Sequence, residues 1–237
     1  MSEHIVRSYD IELQDLRRRI SEMGGIAEKM LVDCINALVR RDEALAQTVI
    51  AADRRLDILQ REVEEHAILM IARRQPMAVD LRETISAIRV SGDVERIGDL
   101  AKNIGKRALA ISAQFQPQKI VLGVQNMGDL VLAQLKDVLD AYAQRDKEAA
   151  FDVWQRDGAI DALYTSLFRE LLTYMMEDPR NISFCTHLLF CAKNIERIGD
   201  HTTNIAETIH YLVTGETLTM ERPKDDRSNF ATVESDV

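Results

Sequence analysis

Turn-forming and aromatic residues are scarce. The 237 residues include 10 Gly and 4 Pro, and aromatics make up 5%. Ala, Leu, Ile, Arg and Glu dominate instead, a composition that favours helices over sheets. A basic excess is missing too: 30 Lys and Arg face 39 Asp and Glu, for a net charge of −9. This excludes nucleic-acid binding through a broad basic face. The three cysteines, Cys34, Cys185 and Cys191, show no C-x-x-C spacing, and their odd number gives no disulfide framework. They read as buried apolar thiols. No apolar run reaches about 18 residues, so no transmembrane helix is expected. Met1 to Asp10 lacks the apolar core of a signal peptide, and a reducing, cytoplasmic setting is the expectation. A Gly-rich phosphate loop and a nucleophile elbow are both missing, so nucleotide hydrolysis and acyl transfer have no support.

What is present is a core-forming chain, 46% hydrophobic, and an internal repeat. The string Glu95-Arg96-Ile97-Gly98-Asp99 recurs as Glu196-Arg197-Ile198-Gly199-Asp200, an offset of 101. Asn103 and Ile104 follow the same offset to Asn204 and Ile205. Earlier in the chain, Met23-Gly24 returns as Met127-Gly128 and Arg41-Asp42 as Arg145-Asp146. Asp53 and Asp57 return as Asp157 and Asp161, and this earlier block has an offset of 104. The second copy is therefore three residues shorter, and the turns near Pro76 and Pro179 are the place for the difference. So long a period indicates two homologous halves rather than a solenoid.

Apolar spacing predicts six helices, over 5–41, 43–74, 79–113, 119–144, 147–176 and 183–214. In the third, Val90, Val94, Ile97, Ala101, Ile104, Ala108 and Ile111 alternate steps of four and three, the seam of helices packed at a shallow angle. The sixth repeats it with Cys191, Ile195, Ile198, Thr202, Ile205, Ile209 and Leu212. Leu45, Val49, Ala52, Leu56, Leu59, Val63 and Met70 stripe the second, with His66 at its boundary. Asp42 and Asp146 suit N-caps, and Asp80 with Glu83 reads as a capping-box variant. Residues 114–118 read as the linker. The expected fold is all-α: two tandem antiparallel three-helix bundles over 5–113 and 119–214, with 215–237 a polar, mobile tail.

Four acidic-x-x-x-Asp pairs carry the chemistry: Asp53/Asp57, Glu95/Asp99, Asp157/Asp161 and Glu196/Asp200. Like charges four apart on a helix repel by about 0.2–0.5 kcal/mol per pair. Four such pairs at equivalent repeat positions suggest that something offsets the repulsion. A wheel places Glu95 and Asp99 away from the seam, hence on the outside or flank of the bundle, with Asn103 one turn further on. One reading is a solvated surface neutralised by Arg54, Arg55, Arg96 and Arg197. The other is a cation site in which these carboxylates, with the Asn103 and Asn204 amides, act as hard oxygen donors for Mg²⁺, Mn²⁺, Ca²⁺ or iron. His201 has no counterpart, since Leu100 occupies its repeat position. A ferritin-like di-iron protein or oxidoreductase competes, but Glu207/His210 is matched only by Lys106 and Leu109 in the first half. A purely structural helical dimer is a third reading.

With these residues in view, the chain resembles the PhoU family of phosphate-signalling regulators. The resemblance rests on the doubled Glu-Arg-Ile-Gly-Asp with its trailing Asn, on Met23-Gly24 and Arg41-Asp42, and on the stretch Arg74 to Arg82. It covers about residues 5 to 213. It implies two three-helix bundles related by a pseudo-twofold, and a non-enzymatic negative regulator of the phosphate-starvation response and of phosphate uptake. The implied partners are the ATPase subunit of the phosphate ABC transporter and the phosphate-sensing histidine kinase, with a homodimer expected, and neither nucleic acid nor membrane insertion. Metal clusters on acidic-x-x-x-Asp pairs are implied at the eight carboxylates above. The ion so implied is divalent or trivalent, with Mg, Mn, Fe, Ca and Zn all open. The segment around Asp80 and Arg82 has no twin, because Asp178-Pro179-Arg180-Asn181 stands there in the second half.

Overall fold

The computed structural model describes residues 2–113, 118–220 and 222, with side chains over 9–113, 120–220 and 222. Of the linker expected at 114–118, residues 114–117 lie outside the described residues, as do 221 and 223–237, while Gln118 already belongs to a helix. Seven α-helices follow in order: α1 (Ser2–Arg40), α2 (Glu43–Arg74), α3 (Val79–Ile111), α4 (Gln118–Gln144), α5 (Lys147–Gln155), α6 (Asp157–Glu177) and α7 (Ile182–Thr214). No strand occurs among the described residues. Helix α1, with 39 residues, runs about 58 Å at 1.5 Å per residue.

The predicted ends agree with the observed ones to within a few residues, except in the fifth helix. There the expected continuous rod breaks at Arg156, whose ψ of −2° interrupts α5 and starts α6. Gly158 lies just beyond, where the first half has Arg54. A glycine in a helix interior costs about 0.8–1 kcal/mol relative to alanine, so the rod is weakest there.

The two sharp helix turns are copies of each other. Arg41 and Arg145 both take a left-handed φ of 56°. The next residues, Asp42 and Asp146, donate their amides to Ala37 and Ala141 at 3.1 and 2.9 Å. These bonds close the exhausted helix end. Their carboxylates then cap the following helix, Asp42 on the Leu45 amide and Asp146 on those of Glu148 and Ala149. The capping box expected at Asp80 and Glu83 does not form. The N-cap of α3 is Ala78, at φ 50° and without a side-chain cap bond. Buried Glu83 binds Arg17 of α1 and Arg145 of the α4–α5 turn instead. A carboxylate with two guanidiniums in reach gains more from them than from a single amide.

Helices α1–α3 pack together, as do α4–α7, and α3 lies against α7 and α1 against α4. One apolar core therefore runs through both halves. The repeated glycines show the pseudo-twofold at atomic level. A Cβ at Gly24 of α1 would stand 2.9 Å from Leu139 of α4, and one at Gly128 of α4 would stand 2.8 Å from Ile35 of α1. Ile35 and Leu139 are themselves repeat partners, so the same contact is made in both directions. All seven seam residues of α3 and all seven of α7 are buried. The odd one, Thr202, stays satisfied by donating to the Gly199 carbonyl at 2.7 Å.

Candidate functional site

The repeated pentapeptide is built around its glycine. A Cβ at Gly98 would collide with the Leu56 side chain of α2, and one at Gly199 would lie 2.7 Å from Ile160 of α6. Leu56 and Ile160 are repeat equivalents. Each glycine thus lets the third rod of its half settle closely onto the second, at the level of the acidic pairs. This approach covers carboxylates expected to face solvent. Asp53, Asp157, Asp161 and Glu196 are buried, at 7, 2, 3 and 4% exposure. Asp57, Glu95, Asp99 and Asp200 are half-buried. The expectation of outward, solvated ridges is corrected: these groups lie at the seam between two helices of each half.

In the first half, Lys102 holds the cluster. Its ammonium donates to Asp53 Oδ2 at 2.6 Å and to Asp99 Oδ1 at 2.5 Å. Arg96 reaches Glu95 at 3.6 Å and Asp99 at 3.5 Å from the solvent side. One lysine is too few for the carboxylates around it. Burial pushes the Asp53 carboxyl up, more than Lys102 draws it down, and the charges of Asp57 and Asp99 add to the rise. Burial also raises Glu95, followed by the charge of Asp99. For Lys102, burial opposes the charge, yet its two carboxylate partners raise its pKa overall. Clusters of mutually repelling acids occur at functional sites and in structural ion-pair networks alike.

The second half has the same acids but different cations. Thr203 occupies the repeat position of Lys102, and its hydroxyl donates to Asp157 Oδ1 at 3.1 Å. Lys193, one turn before Glu196, binds Glu196 Oε1 at 2.9 Å. Arg222 arrives from beyond the last helix. Its Nε lies 2.8 Å from Asp157 Oδ2, and its Nη2 lies 3.1 Å from Asp157 Oδ1 and 2.7 Å from Asp200 Oδ1. Burial raises the Glu196 carboxyl more than Lys193 lowers it, with the charges of Asp200 and Asp161 adding to the rise. Glu196 Oε2 is buried without a hydrogen-bond partner. A buried anionic oxygen left unsatisfied fits a hard cation, whose ligands are of this type.

Among the described residues no three His, Cys, Asp or Glu side chains are gathered into one ready ligand set. Asp53 and Asp99 are instead drawn onto Lys102, Asp157 and Asp200 onto Arg222, and Glu196 onto Lys193. The two asparagines part ways. Asn103 is exposed, while Asn204 donates to Asp93 of α3 at 3.3 Å. His201 also meets Asp93, at 2.8 Å, so this histidine joins the two halves. Glu207, half of the Glu207/His210 spacing, accepts the Trp154 indole N–H at 3.1 Å. His66 lies 3.4 Å from Asp15, partly exposed, as a boundary histidine does. All three cysteines are free and buried, and burial pushes the Cys191 thiol up to about 12. None of them is a reactive thiol.

Sequence reading missed Lys102, Lys193 and Arg222. The lysines were within reach of it, because each stands three residues from an acid on the same helix face. Nothing local flags Arg222, which lies 65 residues from Asp157 in the chain.

Fold and site together define a duplicated helical protein in which each repeat buries an acidic cluster between its second and third rods. The PhoU domain matches the chain twice, over residues 20–108 and 124–209. The phosphate-specific transport system accessory protein PhoU homolog of Rhizobium meliloti is 58% identical over 226 residues, covering 95% of both chains. Its counterpart in Caulobacter vibrioides is 56% identical, covering 95% of this chain and 98% of the relative. The crystal structure of PhoU from Pseudomonas aeruginosa superposes with a TM-score of 0.85 at 39% identity, over 88% of this chain and 100% of that one. The phosphate transport system regulatory protein PhoU from Streptococcus pneumoniae gives 0.82 at 28% identity, over 90% of this chain and 100% of that one. This chain belongs to the PhoU family.

Proposed function

We propose that this protein is a non-enzymatic regulator of phosphate-specific transport, acting at the cytoplasmic side through binding rather than chemistry. The observation that carries the reading is the match along nearly the whole chain to proteins named as accessory proteins of that system, with both acidic repeats intact. No described helix is long and apolar enough to cross a membrane. Its finer role is to restrain uptake and signalling when phosphate is plentiful, by coupling the transporter's ATPase subunit to a histidine kinase.

The acidic clusters take hard cations in this reading. Asp53, Asp57, Glu95 and Asp99 serve the first half, and Asp157, Asp161, Glu196 and Asp200 the second. A bound di- or trivalent ion adds positive charge among four carboxylates that meet Lys102 and Arg96 in the first half and Lys193 and Arg222 in the second. The protein's own part is positional. Gly98 and Gly199 set the helix spacing, and the ion then ties the second rod of each half to the third.

The test is complementation. A strain lacking the protein is expected to express phosphate-responsive genes in rich phosphate, and the wild-type chain restores repression. The Asp99→Ala/Asp200→Ala chain folds but fails to restore it. Unchanged phosphate-responsive transcription in the deletion strain overturns the regulatory role. Full complementation by the double variant removes the acidic clusters from it.

A further inference from the structure

The two repeats neutralise the same pair of acids from different places. Lys102 bridges Asp53 and Asp99. Their repeat partners, Asp157 and Asp200, are bridged by Arg222. Lys102 belongs to α3 and cannot leave without the helix. Arg222 lies beyond α7, outside any helix. Thr203 stands where the first half has Lys102 and meets Asp157 with a neutral hydroxyl.

The path to Arg222 is laid out by the fold. Gly215 ends α7 at φ +81°, a left-handed conformation that costs glycine little. Its amide bonds the Tyr211 carbonyl at 2.8 Å, and the chain reverses there. Leu218 packs against the core. Asp200 lies fifteen residues back along α7, about 22 Å. The seven residues from Gly215 to Arg222 reach about 23–25 Å when extended. That reach brings the guanidinium, 18% exposed, onto the two aspartates.

We propose that residues 216–220 with Arg222 form a strap whose Arg222 guanidinium occupies the cation position of the second acidic cluster, and that a hard divalent ion and the strap exclude each other there. This inference rests on the cation reading given above and adds its regulation. Metal loading of the second cluster releases the C-terminal segment, while loading of the first moves only the Lys102 side chain. One repeat is then a structural clasp and the other a switch with the chain's C-terminal segment as its moving part. Unsatisfied Glu196 Oε2, close enough to Asp200 to feel its charge, is the group that gains when an ion replaces the guanidinium.

Manganese titration of the full chain tests this, read by ion-binding isotherms and by hydrogen exchange over 216–222. For the wild type, saturation with Mn²⁺ is expected to speed exchange across that segment. Arg222→Ala should exchange fast without metal and bind Mn²⁺ about tenfold tighter at one class of site. That factor corresponds to a strap closed about nine-tenths of the time. Arg222→Lys, which keeps the charge but loses the fork, should fall between. Equal Mn²⁺ affinity in wild type and Arg222→Ala, with exchange over 216–222 indifferent to metal, overturns the strap and leaves the cation reading standing. Mn²⁺ binding to neither chain overturns both.

Discussion

Replacing Gly98 by alanine separates close helix packing from helix preference, because α3 contains its own control. Gly92 and Gly98 both lie inside α3. A Cβ at Gly92 meets nothing within 4 Å, whereas one at Gly98 runs into Leu56 with the Met30 methyl 3.8 Å away behind it. Alanine is preferred over glycine in a helix by about 0.8–1 kcal/mol, so Gly92→Ala should stabilise by about that amount. At Gly98 the same gain is opposed by overpacking, which costs about 1–3 kcal/mol. Leu56 is fully buried and cannot swing into solvent, so the upper part of that range applies. The net expectation is a loss of about 1–2 kcal/mol. The assay is urea denaturation followed by circular dichroism at pH 7, comparing midpoints. Leu56→Ala alone should be costly, but in the Gly98→Ala background it should cost less, because the added methyl takes up vacated space. A Gly98→Ala midpoint that rises alongside that of Gly92→Ala would refute the argument that this glycine exists for close approach.

Buried Glu196 makes stability depend on pH in a defined sense. Its carboxyl is raised in the folded chain, chiefly by burial, so the folded state holds a proton that the unfolded state has released. Stability from this group is full below the ordinary carboxylate range and is lost as pH rises through the folded value. Glu196→Gln should therefore gain on the wild type steadily from about pH 4 towards neutrality, seen as diverging urea midpoints; parallel midpoints would dismiss the desolvated carboxylate. Asp146→Ala frees the Glu148 and Ala149 amides at the start of α5, and a lost cap costs about 1 kcal/mol. The matching Asp42→Ala should cost a similar amount in thermal unfolding, since the two turns are copies; a large inequality would break the structural equivalence of the halves.

Much of the fold could be read along the chain because its determinants are local. Six apolar stripes, two Arg-Asp turns and two prolines are short-range patterns, and each acts within a few residues of where it is written. The break at Arg156 was less legible, since one Gly158 is a weak signal against an otherwise helical pattern. Of the candidate site, the identity of the eight carboxylates was readable from the repeat, but their surroundings were not. A helical wheel sorts residues relative to one partner, whereas α2 packs against α1 and α3, α6 against α4 and α7, and α7 against α3, α4, α5 and α6. With neighbours on several sides, the face opposite one seam can still be covered, and Asp53, Asp157, Asp161 and Glu196 are buried for that reason.

By itself, then, the order of amino acids determined that this protein is helical, duplicated and furnished with paired acids at matching positions, since spacing and repetition are properties of a line. Only the tertiary structure decided which cation each pair meets. Glu83 with Arg145, Asp93 with His201 and Asp157 with Arg222 are contacts between residues 62, 108 and 65 apart. Separations of that size leave no periodic trace, and the electrostatics of the site are set by whichever charges the packed helices bring within a few ångströms.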